Sequence, residues 1–110
     1  MSALYVMRYL GQSGLGFGSV YIGKGKVLGV DVQNGRYEGN YVNQAGRIRG
    51  TVTLSAAQSL QLVTGATIPA GHKISMSIDW PENFANGQPQ QLNVSGAAVS
   101  VTFEKVGDIP

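Results

Sequence analysis

The chain contains no cysteine. That removes disulfides, thiol nucleophiles and thiolate metal sites together, and it fits a reducing cytoplasm. It has one histidine, His72, and a single imidazole cannot build a histidine metal cluster. Charge is scarce as well. Charged residues make up 13% of the sequence, with a formal net charge of +2, about half the usual share. Arg47 and Arg49 share one face of a predicted strand, but no basic run exists. Nucleic-acid binding needs a stripe of cations to neutralise phosphates, so that class is not expected. No apolar stretch approaches the ~18 residues of a membrane-spanning helix. The apolar N-terminal run lacks a basic leader and carries Arg8 inside it, unlike a targeting segment. These absences predict a cytoplasmic protein with neither nucleic acid nor membrane as partner.

Glycine, by contrast, is abundant. Sixteen glycines punctuate 110 residues, and short runs rich in Val, Ile, Tyr and Thr lie between them. Strands recurring every ~8–12 residues with turn signals between them indicate a sandwich or a barrel. The pattern predicts strands over Ala3–Leu10, Gly16–Ile22, Lys26–Val32, Arg36–Val42, Arg47–Leu54, His72–Trp80, Gln91–Val94 and Ala98–Val106, with a further short one around Leu60–Thr64. Turns are expected at Gly11–Gly14, Gly23–Gly25, Asn34–Gly35, Asn43–Gly46, Asn86–Gly87 and Gly96. Only Ser55–Leu62 has helix-forming composition, with Ser55 as a cap, and an extended loop there is an equal alternative. No repeat or linker divides the chain, so residues 1–110 read as one domain.

Alternation assigns the faces. Ile74, Met76, Ile78 and Trp80 alternate with Lys73, Ser75, Ser77 and Asp79; Val99, Val101 and Phe103 alternate with Ser100, Thr102 and Glu104. Ile48, Val52 and Leu54 alternate with Arg47, Arg49, Thr51 and Thr53. Strands buried on one face and wet on the other belong to antiparallel sheets. The predicted inward set is Ile48, Val52, Ile74, Met76, Ile78, Val99, Val101 and Phe103. Gly39 and Gly50 fall on inner faces, where glycines opposite tyrosines would let a small barrel coil and still fill its inside. The fold class expected is therefore all-β, an antiparallel barrel, closed or nearly so, with at most one short helix.

Most catalytic signatures fail on context. Gly14-Leu15-Gly16-Phe17-Gly18 resembles a phosphate-cradling loop, but such a loop must open a helix, and Ser19-Val20-Tyr21-Ile22 reads as a strand. His72 opens a strand and no nucleophile elbow accompanies it. Asp79 and Glu82 flank Trp80 and Pro81, a spacing that invites a paired-carboxylate reading, but the strand end favours surface solvation. Asn93-Val94-Ser95 is a glycosylation pattern without a secretion signal. Asp31 is different. Leu28, Val30 and Val32 occupy one face of its strand and Asp31 the other, and an inward carboxylate needs hydrogen-bonding partners. Tyr37, Tyr41 or Arg8 are candidates, which makes Asp31, Tyr37 and Tyr41 the candidate interior polar or ligand-facing residues. A polar residue on the wet face is the alternative. The sequence calls for no cofactor, no catalytic residue and no metal ligand.

The N-terminal strand is apolar on both faces, with Leu4, Val6 and Leu10 on one and Tyr5, Met7 and Tyr9 on the other. A barrel wall needs only one apolar face. The second, together with Leu28, Val30 and Val32, predicts a covered patch, most simply in a homodimer. Tyr5, Met7 and Val30 are the candidate dimer surface. Folding of Ser55–Gly71 over the same face within one chain is the alternative.

One pattern in the first half carries a resemblance. It runs through Leu4-Tyr5-Val6, Gly16 and Gly18, Gly25-Lys26-Val27-Leu28-Gly29-Val30-Asp31, Tyr37-Glu38-Gly39-Asn40-Tyr41 and Arg49-Gly50-Thr51-Val52. This resembles the GrlR-like family, small bacterial β proteins named after a negative regulator of type III secretion. The Gly-x-Asp step followed by Tyr-x-Gly-x-Tyr is its most specific part. The resemblance implies a lipocalin-like up-and-down barrel of about eight strands, a homodimer, and regulation through a bound transcriptional regulator. The family's exposed acidic run has no counterpart here. The expected function is thus a non-enzymatic, regulatory protein-binding role. The alternative is a carrier or sensor that takes a small apolar molecule or lipid into the barrel interior.

Overall fold

The computed structural model describes residues 2–110. Its strands are β1 (Ser2–Gly11), β2 (Gly14–Gly23), β3 (Lys26–Asp31), β4 (Arg36–Gln44), β5 (Arg47–Ser55), β6 (Leu60–Gln61), β7 (Thr67–Ile68), β8 (Lys73–Pro81), β9 (Gln90–Val94) and β10 (Ala97–Asp108). No helix forms among the described residues. Ser55–Leu62 instead ends β5 and leads into β6. Eight strands build one antiparallel sheet in the order β8-β5-β4-β3-β2-β1-β10-β9. Each long strand pairs with its neighbours in sequence except at one place, and β1 joins β10. The result is a nearly closed antiparallel barrel of eight strands, as the alternation and turn spacing predict, in the up-and-down order expected from the resemblance.

The open place is the seam between β8 and β9, which are the two edges of the sheet. A side chain bridges it: the Trp80 indole N–H donates to the Gln91 carbonyl at 3.0 Å. The short hairpin β6–β7 lies outside the main sheet.

Three hairpins turn on two residues with left-handed backbone: Lys24-Gly25, Ala45-Gly46 and Ser95-Gly96. Positive φ at both positions is what a type I′ turn requires, and it matches the twist of the strands it joins. Between β3 and β4 only Asn34 adopts positive φ, at 66°, so that connection is a longer turn than Asn-Gly alone suggests.

The inward face carries the core. Ile48, Val52, Met76, Ile78, Val99, Val101 and Phe103 are buried, and Ile74 is partly buried against them. Three inward tyrosines each stand opposite a glycine: Tyr9 against Gly16, Tyr37 against Gly29, and Tyr41 against Gly50. A Cβ on Gly16 would run into the Tyr9 ring, and one on Gly50 into the Asn40 carbonyl. The glycines thus let neighbouring strands coil closely while the tyrosine rings fill the space left.

The barrel has two differently sealed ends. At the end of the Lys24-Gly25 and Ala45-Gly46 turns, Phe84 reaches in from the loop 82–89. It is 1% exposed. Its ring centroid lies 5.1 Å from those of Tyr5 and Phe103 and 6.1 Å from that of Trp80. At the opposite end, the segment 56–72 folds across the mouth, with Leu60 and Ile68 buried in the core.

Candidate functional site

The cavity lies inside the barrel beneath that second end. It has a volume of about 90 Å³, room for several waters or a short apolar group. Met7, Val20, Ile22, Val52, Ile78 and Val101 form its walls, and Trp80 and Phe103 face it from the aromatic seal. These positions follow from strand alternation: each is an inward residue of a strand whose outward neighbours are polar or half-exposed.

Near the mouth the lining becomes polar. Asp31 ends β3 on the inward face. Its Oδ1 accepts the backbone N–H of Gln33 at 3.0 Å and that of Gly35 at 2.8 Å, an Asx arrangement that holds the turn into β4. Its Oδ2 accepts the Tyr37 hydroxyl at 2.7 Å. Gly35 is glycine for a local reason, since a Cβ there would press on Oδ2. Tyr9 completes the cluster. Burial first, and then the negative charge of Asp31, push its pKa up to about 12. Burial, with the neighbouring Tyr9 and Asp31 adding to it, raises Tyr37 further. Both phenols are therefore neutral donors or acceptors at ordinary pH.

The mouth itself is closed by short polar ties. Gln33 Nε2 donates to the Gln61 carbonyl at 2.9 Å, and the Gln61 N–H returns to Gln33 Oε1 at 3.4 Å. The Ser13 N–H donates to the Val63 carbonyl at 2.7 Å. The cover is held by a few hydrogen bonds and the side chains of Leu60 and Ile68, with no ladder to the main sheet.

Of the three candidate interior residues, the structure brings Asp31 and Tyr37 together on the cavity and sets Tyr41 apart. Tyr41 faces inward opposite Gly50, nearer the other end, and it does not line the cavity. Arg8 points outward to Glu104 at 3.1 Å, so Asp31 takes Tyr37 as its side-chain partner. Tyr9, Gln33 and Gln61 belong to the site without having been singled out from sequence.

The expected dimer surface needs correction. Tyr5 is 4% and Met7 6% exposed, and both point into the barrel, so neither offers an outer contact. The strand's outward side chains are Leu4, Val6, Arg8 and Leu10. Val30 does face outward, 38% exposed, beside Leu28 and Val32. The segment 56–72 covers the mouth and leaves that outer wall open.

The remaining sequence candidates stay apart from the cavity. The glycine-rich stretch lies in β2. His72 and Glu82 are exposed. Asp79 accepts Arg47 Nε at 2.6 Å on the outer wall, with Arg49 at 3.4 Å. Hydrogen bonding to Arg47 lowers its pKa.

No protein-family model, curated protein or solved structure matches the chain. The site's chemistry is accordingly read from its own residues.

Proposed function

We propose that this protein is a non-enzymatic binding barrel that takes a small, largely apolar molecule into its interior, as a carrier or sensor. One observation carries the reading. An apolar cavity lies inside the barrel beneath the covered end, with a polar cluster, Asp31, Tyr37 and Tyr9, at its mouth. Binding pockets are mostly apolar with a few placed polar groups that fix orientation, and an eight-stranded barrel has room for one small ligand. The cluster contains no nucleophile beside a base and no metal-ligand set, so its chemistry suits recognition. Trp80 is the sole tryptophan and faces the cavity, which makes it a reporter. Titration with 1-hexanol is expected to shift Trp80 emission saturably, and an unchanged spectrum at full solubility would refute the reading.

A second reading is favoured by the outer wall. Leu10, Leu15, Phe17, Leu28, Val30 and Val32 are exposed on neighbouring strands β1 to β3 and the turn after β3. Contiguous apolar surface of this kind marks contact sites. It supports a regulatory protein that engages a second copy or a transcriptional regulator through this wall, as the GrlR-like resemblance implies. Light scattering at micromolar concentration tests the homodimer. A monomer mass there, unchanged by Val30→Lys, would contradict it.

A further inference from the structure

We propose that the cavity selects a small organic cation, an apolar body carrying a protonated amine, with Asp31 as its counter-ion. This rests on the interior-binding reading above and narrows its ligand class.

The charge balance of the site carries the inference. Among the described residues lining the cavity, Asp31 is the one carboxylate, and no Lys, Arg or His lines it. Among the described residues, none of the ion pairs involves Asp31. Its hydrogen bonds all come from neutral donors: two backbone N–H groups on Oδ1 and one phenol on Oδ2. Such bonds stabilise a carboxylate and fix its direction, but they leave its negative charge uncompensated. The Tyr9 hydroxyl lies within hydrogen-bonding reach of the carboxylate as well, and it too is a neutral donor, so a cationic ligand would supply the one kind of partner that Asp31 lacks.

The surroundings suit an ammonium group. The hydroxyls of Tyr37 and Tyr9 gather at the carboxylate, and a phenol oxygen can accept a hydrogen bond as well as donate one. An ammonium has three donors to place. Gln61 and Thr64, both on the cover, also line the cavity near the mouth. The apolar walls lower the local dielectric and strengthen whatever charge pairing occurs. The same carboxylate opposes an anionic head group, so fatty-acid-like ligands are disfavoured by like charge. The cavity volume of about 90 Å³ limits the apolar body to a short chain or a single ring.

Asp31 also holds the turn between β3 and β4. A residue with that structural task alone would show no preference among ligand head groups. Three six-carbon probes separate the two roles: hexylamine, 1-hexanol and hexanoate, titrated into the full chain at neutral pH and followed by Trp80 emission and calorimetry. Hexylammonium is expected to bind roughly tenfold or more tighter than hexanol, the gain of a charge-assisted bond over a neutral one, and hexanoate weakest. Asp31→Asn keeps Oδ1 for Gln33 and Gly35 and is expected to abolish the amine preference while hexanol still binds. Equal affinity for amine and alcohol, or a preference that survives Asp31→Asn, would overturn the inference and leave the interior site standing. Failure of all three probes would overturn the interior site and the inference with it. Should Asp31→Asn fail to fold, the order of the probes on the unaltered chain decides.

Discussion

Phe84 gives the account a demanding test, because it lies in a loop and yet seals one end of the barrel. Replacing it with Ala removes a side chain that is 1% exposed and touches the rings of Tyr5, Trp80 and Phe103. Burying a phenylalanine is worth roughly 1.5–3 kcal/mol in transfer alone. The void adds to that, and truncations of this kind cost about 3–5 kcal/mol in all. Little can relax to fill the gap. The loop 82–89 is bounded by strand ends, and its Phe84 carbonyl is tied to Gln90 Nε2 at 3.4 Å. Set against a total stability of ~5–15 kcal/mol for a domain, the loss is a large fraction. Urea denaturation is expected to show a lower midpoint with an unchanged slope, and the melting temperature should fall by more than ~10 °C. Phe17→Ala, on the outer wall at 41% exposure, is the control and should cost under ~1 kcal/mol. If Phe84→Ala cost no more than Phe17→Ala, the aromatic seal would not exist as described.

Ile78→Ala should cost about 2–5 kcal/mol and Arg49→Ala well under ~1 kcal/mol by chemical denaturation; equal costs would mean a one-residue error of register. Gly50→Ala should destabilise by roughly 1–3 kcal/mol, since its Cβ meets the Asn40 carbonyl, and a neutral effect in the same assay would show that β4 and β5 are not so close. Stability should also decline at alkaline pH. The folded state raises Tyr9 from the ordinary 10.0 to about 12, so its contribution is full below pH 10 and is lost as pH climbs towards 12. Urea midpoints measured across that window should fall, less steeply in Tyr37→Phe, and a flat profile would contradict the buried cluster.

Most of the barrel was legible because its strands are one-sided. In β8, and in β10 as far as Phe103, every second residue is apolar, and a period of two admits one assignment of faces. Of the two inner-face glycines named from sequence, Gly50 does stand opposite a tyrosine, whereas Gly39 faces Val52 and Val27, and the pairings of Gly16 and Gly29 depend on register. The N-terminal strand misled because both of its faces are apolar. Arg8 held the missing information: it shares parity with Leu4, Val6 and Leu10, which marks that face as outer and sends Tyr5, Met7 and Tyr9 inside. Phe84 carried no periodic signal, standing alone in a polar loop. The cover over the mouth was obscure for a similar reason, because strands of two residues are too short to display a period. Gln33 and Gln61 join only when the segment 56–72 crosses the barrel end, a contact between residues 28 apart that no local pattern encodes. Asp31 stood out through its opposition to Leu28, Val30 and Val32, which left an inward or a wet position open, and both its inward direction and its pairing with Tyr37 over Tyr41 depend on the register of β3 against β4.

The most direct test of the interior site is methyl chemical-shift mapping during a titration with 1-hexanol. Saturable shifts are expected at Met7, Val20, Ile78 and Val101, which line the cavity, while Leu28, Val42 and Val106 on the outer wall stay unmoved. Shifts confined to the outer wall, or none inside at saturation, would contradict the account.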